Sequence, residues 1–390
     1  MLITSSLDEV KKRETALDTI NSIITKDGRD SLHDLTGLSG GFLATQDDLN
    51  LLETYIGPAI FEEKLQELGK IHLGGEKVFA VNRTSSGILA SILALVSKNS
   101  YVIHFLPEFP AHPSIVRSCK LVGANYLEFD DINNFNIPDN TSMVIITGST
   151  MDHKVIDEKV FKKIIAMAKT KNDIPILVDD ASGARLRTAI FSQKKATELG
   201  ADLVVTSTDK LMLGPRGGLM AGKKNFIDKI KSKATQFGLE AQPPSILAMV
   251  KGLEAYKKDD LLKSISKKQK LIDLLHDFEM FEETPTGIMV SEISLKKEID
   301  KYNSTNDFSS KDLSFLWAMV LLKEEHIVTI PAVSMPGASA TIRFDLASKD
   351  TMKLDVLQEK IVNSFKKLLE LISDSDKSRN LLFGKNQLKI

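Results

Sequence analysis

The sequence predicts an α/β protein. Its large domain holds a mostly parallel, seven-stranded sheet with helices on both faces, and a smaller C-terminal α+β domain follows. Three observations carry this reading. Between Val78 and Lys223, short runs of β-branched and aliphatic residues alternate with stretches of helical periodicity. That alternation is the pattern of successive strand–helix–strand units. The runs hold few charges, as strands covered on both faces require. After Ala255 the alternation stops, and a lysine-rich helix leads into strand-like runs mixed with helices.

The elements follow in order. Residues 1–45 form an N-terminal helical segment, where Leu7, Val10, Leu17, Ile20 and Ile24 recur at helical spacing. Residues 46–255 form the large domain. Its strands are VFAVN from Val78, YVIHFL from Tyr101, ANYLEF from Ala124, MVIITG from Met143, IPILVDD from Ile174, DLVVTSTDK from Asp202 and GGLMAGK from Gly217. Between them Ser86–Lys98, Pro113–Val122, Asp157–Thr170 and Gln193–Leu199 read as helices. Residues 256–372 form the small domain. It has a helix over Lys257–Lys270, strands around Gly287–Leu295, His326–Ile330 and Thr341–Phe344, and a helix carrying Trp317. Residues 373–390 are a polar tail, expected to be partly disordered.

Composition excludes several classes. One cysteine, Cys119, in 390 residues makes neither an internal disulfide nor a CxxC zinc site, and no metal is expected. Lys plus Arg is 51 against 52 Asp plus Glu, a net charge of -1, so no global field favours nucleic acid or an anionic membrane. No apolar run approaches the ~18 residues of a membrane span, and the charged N-terminus lacks a signal core. A cytoplasmic protein is expected.

Three local features carry chemistry. TSSG, Thr84–Gly87, follows a strand and opens a helix, where free backbone N–H groups and the helix dipole suit a phosphate. Ordinary N-capping is the plainer account of it alone. VDDASG, Val178–Gly183, ends the most apolar run and puts Asp179 at a strand tip, where parallel sheets bind ligands. STDKLMLGPRGG, Ser207–Gly218, puts Lys210 at another tip, where desolvation makes an amine a nucleophile or base. A snorkelling surface lysine is the plainer account of that one. A phosphate cradle, a buried aspartate and a buried lysine, in this order on one sheet edge, match pyridoxal 5'-phosphate. That cofactor needs an anion site, a carboxylate for its pyridine nitrogen and a lysine for a Schiff base.

The order of motifs resembles the fold-type-I pyridoxal-phosphate enzymes. Within them DDASG and TSTDKLMLGPRGG resemble the selenocysteine synthase (L-seryl-tRNA(Sec) selenium transferase) group, closest to its archaeal relatives of unsettled activity. The likeness runs from about Asp34 to Leu346. It implies that Lys210 is the Schiff-base lysine and Asp179 the pyridinium partner. It places Ser85, Ser86 and Gly87 at the phosphate, joined by Ser207, with Arg216 at the phosphate or an anionic substrate. It puts Ser182 near the ring hydroxyl, with Ser149 of TGST near that hydroxyl or the substrate. His112 of FLPEFPAHPS stacks on the ring, with Phe109 the alternative. Arg343 of TIRFDL grips a substrate carboxylate, a task suited to a bidentate guanidinium; a structural ion pair is its plainer role.

The implied chemistry is an external aldimine with an amino-acid substrate, Cα proton removal by Lys210, and β-elimination or β-replacement. By resemblance, replacement on a seryl group stands first. The bacterial enzymes carry an extra N-terminal tRNA-gripping region, whereas ~80 residues precede TSSG here. No basic stripe beyond Lys223–Lys233 and Lys257–Lys270 is present, so a tRNA partner is disfavoured. A small-molecule ammonia or C–S lyase is the second reading, and a catalytically silent cofactor-binding protein the third. Cysteine desulfurase is set aside because Cys119 lies mid-helix in PSIVRSCKLVG. A homodimer or higher homo-oligomer is expected.

Overall fold

The computed structural model describes residues 1–38, 40–171, 174–302, 306–334, 336–347 and 352–384. The chain divides into two compact units, Leu38–Asp259 and Met1–Gly37 together with Asp260–Ile390. The boundaries thus lie near 37 and 259, where the sequence reading sets 45 and 255. The N-terminal helix, Ser6–Asp27, shares its unit with the C-terminal residues instead of standing as its own segment. Its Ala16 and Ile23 enter the same apolar core as Leu313, Trp317 and Phe365.

The Leu38–Asp259 unit is built on seven strands. They are Lys77–Val81 (β1), Tyr101–Phe105 (β2), Asn125–Phe129 (β3), Thr141–Thr147 (β4), Ile176–Asp179 (β5), Leu203–Ser207 (β6) and Gly218–Gly222 (β7). Their order across the sheet is β1-β7-β6-β5-β4-β2-β3. The pairs β2–β3, β2–β4, β4–β5 and β5–β6 are parallel, and β7 runs antiparallel to both β1 and β6. All seven expected runs are therefore strands of one mostly parallel sheet.

Period-two alternation gives each strand two apolar faces. Phe79, Val102, Ile145, Leu177, Leu203 and Met220 pack under Ile88 and Ile92 of the helix Thr84–Leu95. Ala80, Ile103, Ile146, Val178, Val204 and Leu219 pack on the other face with Phe61, Phe161 and Leu247. β3 departs from burial on both faces, because it is an edge strand with a single neighbour, and its Leu127 is exposed.

Gln193–Leu199 is not a helix but an extended segment and turns. Its groups are claimed from outside. The Gln193 side chain donates to Ile156 O at 2.9 Å, and the Lys194 N–H to Glu158 Oε2 at 3.1 Å. A segment this short does not nucleate a helix against such competition. Helical turns form just before it, at Gly183–Arg185 and Leu186–Ile190.

In the other unit Glu282–Thr284 (β8), Gly287–Val290 (β9) and Ile342–Asp345 (β10) form an antiparallel sheet in the order β10-β9-β8. The strand expected near Gly287–Leu295 stops at Val290, because Ser291 caps the helix Glu292–Asp300 by accepting from the Ser294 N–H. Around His326 only Ile327–Val328 is extended, paired in parallel with His33–Asp34. The helix Ser310–Glu325 is buried nearly all round, and its Trp317 Nε1 donates to Ser364 Oγ at 3.0 Å. The expected polar tail forms a helix over Ser375–Phe383 with Leu382 and Phe383 buried, and residues 385–390 lie outside the described residues. Among the described residues, no helix is long and apolar enough to cross a membrane.

Candidate functional site

The register of the sheet gathers the sequence motifs along one edge. Thr147 at the end of β4 faces Asp179 at the end of β5, and Asp179 faces Val205 of β6. Ser207 at the end of β6 faces Gly218, the first residue of β7, which faces Val81 at the end of β1. The turns that leave these ends carry Arg83–Gly87, Leu106–His112, Ser149, Ser182 and Lys210. Carboxyl ends of parallel strands are where open α/β sheets bind ligands.

Asp179 is the most perturbed carboxyl at this edge. It is buried, and its Oδ1 has no hydrogen-bond partner. Burial raises its pKa to about 6, against the opposing pull of the Lys210 ammonium. The same ammonium acts on His112, whose pKa is lowered by the chain around it, then by Lys210, Arg83 and Arg117. Although the ring is solvent-exposed on the surface of this chain, every cause acts in one direction and keeps it neutral. Lys210, half-buried in the loop after β6, thus acts electrostatically on both a carboxylate and an imidazole. Leu211, directly after it, has a φ of 55°. Bulky residues avoid that left-handed region, and such strain persists where the surroundings over-determine the backbone.

His112 is placed by helix capping. It is the N-cap of the helix Pro113–Val122, with proline opening the first turn and the Ser114 N–H donating to its Nδ1 at 3.2 Å. Phe109 lies in the same loop and is exposed. TSSG opens the helix Thr84–Leu95, whose N-cap Arg83 makes no side-chain cap and whose first turn carries no acidic residue. Such a terminus presents N–H donors to an anion. Close approach onto the sheet depends on glycine at two points. A Cβ on Gly87 would meet Met220 Sδ at 2.9 Å, and one on Gly218 would meet Arg83 C and Thr84 N at 2.7 Å.

The structure joins two predicted serines from separate motifs. Ser149 Oγ and Ser182 Oγ lie 2.7 Å apart, both buried. Ser207 is buried, with its hydroxyl donating to Asp209. Arg216 is exposed on the loop that leads into β7. Arg343 belongs to the other unit, where it is buried in β10 and its Nη2 donates to Thr36 O at 3.3 Å. Its guanidinium also bears on Asp345, opposing the burial that raises that carboxyl.

Several residues of this edge escape the sequence reading. Asp180 is not a ligand-facing twin of Asp179. Its carboxylate pairs with Arg187, which donates to it through Nη2 and, at 3.1 Å, through Nε. Both side chains are buried, and Cβ atoms on Gly148 or Gly183 would collide with Asp180 Oδ1. Behind the sheet, Arg185 Nη2 donates to Ala181 O at 2.7 Å, Thr206 Oγ1 at 2.9 Å and Ser207 O at 2.6 Å. It ties the loop after Asp179 to the loop before Lys210. His72, held neutral by burial and by Arg185 with a pKa near 3, accepts from Arg185 Nη1 at 3.1 Å. The signal for these braces was the doubled acid of DDASG and the two arginines that follow it in GARLRT.

Breaking the Asp180–Arg187 pair leaves a buried charge without its partner. Asp180→Ala is expected to cost about 3–5 kcal/mol. Chemical denaturation would show it as a lowered midpoint, while any protein that remains folded keeps the reactivity of Lys210.

Cys119 is wholly buried, and burial pushes its thiol up to about 12, so it supplies no reactive thiolate. Among the described residues, no group of three or more His, Cys, Asp and Glu side chains is placed to hold a metal ion.

Pyridoxal phosphate fits the groups at this edge. The buried Oδ1 of Asp179 lacks the donor that a protonated ring nitrogen provides. The N-terminus of Thr84–Leu95 offers N–H groups for a phosphate, and Lys210 offers the amine.

The chain matches the family model described as L-seryl-tRNA selenium transferase over residues 125–288, and that described as the UPF0425 C-terminal domain over 277–355. A UPF0425 pyridoxal phosphate-dependent protein of Methanothermobacter thermautotrophicus is 50% identical over 387 residues, spanning 98% of this chain and 100% of that protein. An L-seryl-tRNA(Sec) selenium transferase of Clostridium botulinum is 22% identical over 316 residues, spanning 76% of this chain and 63% of that protein. Among solved structures, an L-threonine transaldolase from Pseudomonas fluorescens aligns with a TM-score of 0.66 at 15% identity, covering 94% of this chain and 91% of that one. A SepCysS–SepCysE N-terminal domain complex aligns with a TM-score of 0.58 at 15% identity, covering 90% and 98%. The structural likeness establishes the fold-type-I architecture. The identity across nearly the whole length establishes more: the chain belongs to the UPF0425 family of pyridoxal phosphate-dependent proteins.

Proposed function

We propose that this chain is an enzyme acting on an amino-acid substrate by β-elimination or β-replacement, with Lys210 and Asp179 as its central groups. The observation that carries the proposal is Asp179: buried, raised to about 6, facing the Lys210 ammonium and lacking a donor on Oδ1. When bound, pyridoxal phosphate supplies an electron sink for charge that develops at the substrate Cα. Asp179 holds a proton at the ring nitrogen by staying ionised beside it. Lys210 first binds the cofactor and then takes the Cα proton as a base. Ser85, Ser86 and Gly87 line the phosphate at the N-terminus of the helix Thr84–Leu95, where the Ser86 and Gly87 N–H groups also donate to Arg83 O at 2.9 and 3.2 Å, with Ser207 and Arg216 beside it. Ser149 and Ser182, already hydrogen-bonded together, orient the ring hydroxyl. His112 is assigned to the ring in preference to Phe109, because the Lys210 charge acts on His112, lowering its pKa and leaving its ring neutral.

The likeness to L-seryl-tRNA(Sec) selenium transferase supports replacement on a seryl group. A free amino acid as substrate is the second reading, and the lysine-rich stretches favour it. Lys223 pairs with Asp202 at 2.7 Å, Lys263 with Asp260 at 2.9 Å and Lys268 with Glu283 at 2.8 Å. Lysines neutralised in this way make a poor phosphate-backbone stripe. We place the protein as a homodimer or higher homo-oligomer in the cytoplasm. In Leu38–Asp259 the exposed apolar residues Phe42, Leu49, Tyr55, Ile56 and Ile60 are those a second copy would cover.

The test is a panel of free amino acids bearing a leaving group at Cβ, scanned for a change in cofactor absorbance and for released pyruvate and ammonia. Seryl-tRNA is offered in parallel. A response to a free amino acid supports the small-molecule reading. A response to seryl-tRNA alone supports replacement on a seryl group and rules the free amino acid out as substrate. No response to either, from a fully loaded protein, means the chain is catalytically silent.

A further inference from the structure

A line of polar side chains crosses the sheet on the face that carries Asp179. Thr147 is the register partner of Asp179, and partners in parallel strands project their side chains to the same face. His104 of β2 is wholly buried, with Nε2 2.8 Å from Thr147 Oγ1 and Nδ1 2.7 Å from the Tyr126 hydroxyl of β3. The Tyr126 hydroxyl in turn donates to Glu128 Oε2 at 2.6 Å. Four side chains from three strands therefore link the site edge to the outer strand.

Counting protons fixes the direction of every bond. Burial holds the His104 pKa down to about 3, so the ring carries a single proton near neutrality. Tyr126 has one proton and gives it to the Glu128 carboxylate, so its oxygen only accepts. Nδ1 is then the protonated nitrogen of His104, and Nε2 is an acceptor. The one hydroxyl proton of Thr147 goes to that acceptor. Buried carboxylates are ordinarily satisfied by nearby hydroxyls, yet Asp179 Oδ1 has no donor.

We propose that the Tyr126–His104 pair is a positioning device that draws the Thr147 proton away from Asp179, keeping Asp179 Oδ1 as an unshared acceptor for a cationic ring nitrogen. This rests on the reading that Asp179 receives the nitrogen of the cofactor. The device sits on the strand-and-neighbour geometry of β2, β3 and β4, apart from the loops that bind phosphate and amine.

The test uses Tyr126→Phe, separated from Asp179 by His104 and Thr147. Without the tyrosine oxygen, the His104 proton moves to Nε2, which becomes a donor to Thr147. The Thr147 proton is then released toward Asp179. In cofactor-free protein labelled with 15N-histidine, the expected result is an unprotonated His104 Nε2 in the wild type and a protonated one in Tyr126→Phe. Affinity for pyridoxal 5'-phosphate, by fluorescence titration, is expected to fall about tenfold in Tyr126→Phe. Adding Thr147→Val removes the misdirected proton and restores affinity to within about twofold, a suppression that a purely structural role does not produce. A protonated Nε2 in the wild type overturns the proposal without recourse to any variant. Unchanged affinity in folded Tyr126→Phe, or no restoration by Thr147→Val, overturns it as well. Asp179→Asn separates the two layers. If it binds the cofactor as tightly as the wild type, the site reading itself has failed. If it weakens binding while Tyr126→Phe does not, only the positioning device has failed.

Discussion

Lys210→Ala is expected to abolish covalent attachment of the cofactor and to slow exchange of the substrate Cα hydrogen by about 10²–10⁴-fold. The magnitude follows from the absence of a ready substitute. His112 is a basic group that feels the Lys210 charge, and burial together with that charge pushes its pKa to about 4, well below the usual imidazole range. A weak base in an unsuitable position recovers little of the rate. Deuterium exchange at Cα, followed by proton NMR with the best substrate of the panel, measures this directly. A rate within tenfold of the wild type would mean that another group takes the proton and that Lys210 only tethers.

Asp179→Asn is expected to move cofactor affinity and stability in opposite directions. The folded-state pKa of Asp179 is raised to about 6 from an unfolded value near 3.8, so between about pH 4 and pH 6 the folded state holds the proton more tightly. Stability therefore falls as pH rises through that window, and the loss persists above it. Asparagine carries no charge and escapes the penalty. Cofactor-free Asp179→Asn should outlast the wild type by on the order of 1–3 kcal/mol at pH 7–8. The difference should vanish toward pH 4, where the wild-type carboxyl is protonated. The opposing pull of Lys210 is already contained in the value of about 6. Binding runs the other way, because the neutral amide no longer holds a protonated ring nitrogen. Melting curves across pH, with and without pyridoxal phosphate, read both effects. A destabilised cofactor-free variant at pH 8 would show that the carboxylate is satisfied in the fold and is not held in reserve.

What the sequence made legible was local. Each of the seven runs is a strand, because β-branched residues buried on both faces leave little choice of period. Lys210, Asp179 and TSSG were legible because each closes a run and opens a turn, so chain order alone carries them to one edge. The supports were not legible, because they depend on neighbours set by sheet order. His104 is a single polar letter inside YVIHFL, and only the placement of β2 between β3 and β4 gives it Tyr126 and Thr147 as partners. Ser149 and Ser182 meet across the β4–β5 pairing. The role of Asp180 was not legible beside Asp179; successive residues point opposite ways, and it pairs with Arg187. The helix expected at Gln193–Leu199 failed for the same reason: bonds donated by Gln193 and Lys194 to Ile156 O and Glu158 Oε2 outweigh a short local preference.

The central claim is that Lys210 holds the cofactor at the edge where Asp179 waits. Borohydride reduction of the loaded protein, followed by proteolysis and mass spectrometry, tests it most directly. The account predicts one phosphopyridoxyl group per chain, on the peptide containing Ser207–Gly218, with Lys210 as the modified residue. A label on any other lysine, or a loaded protein that takes up no label, would contradict it.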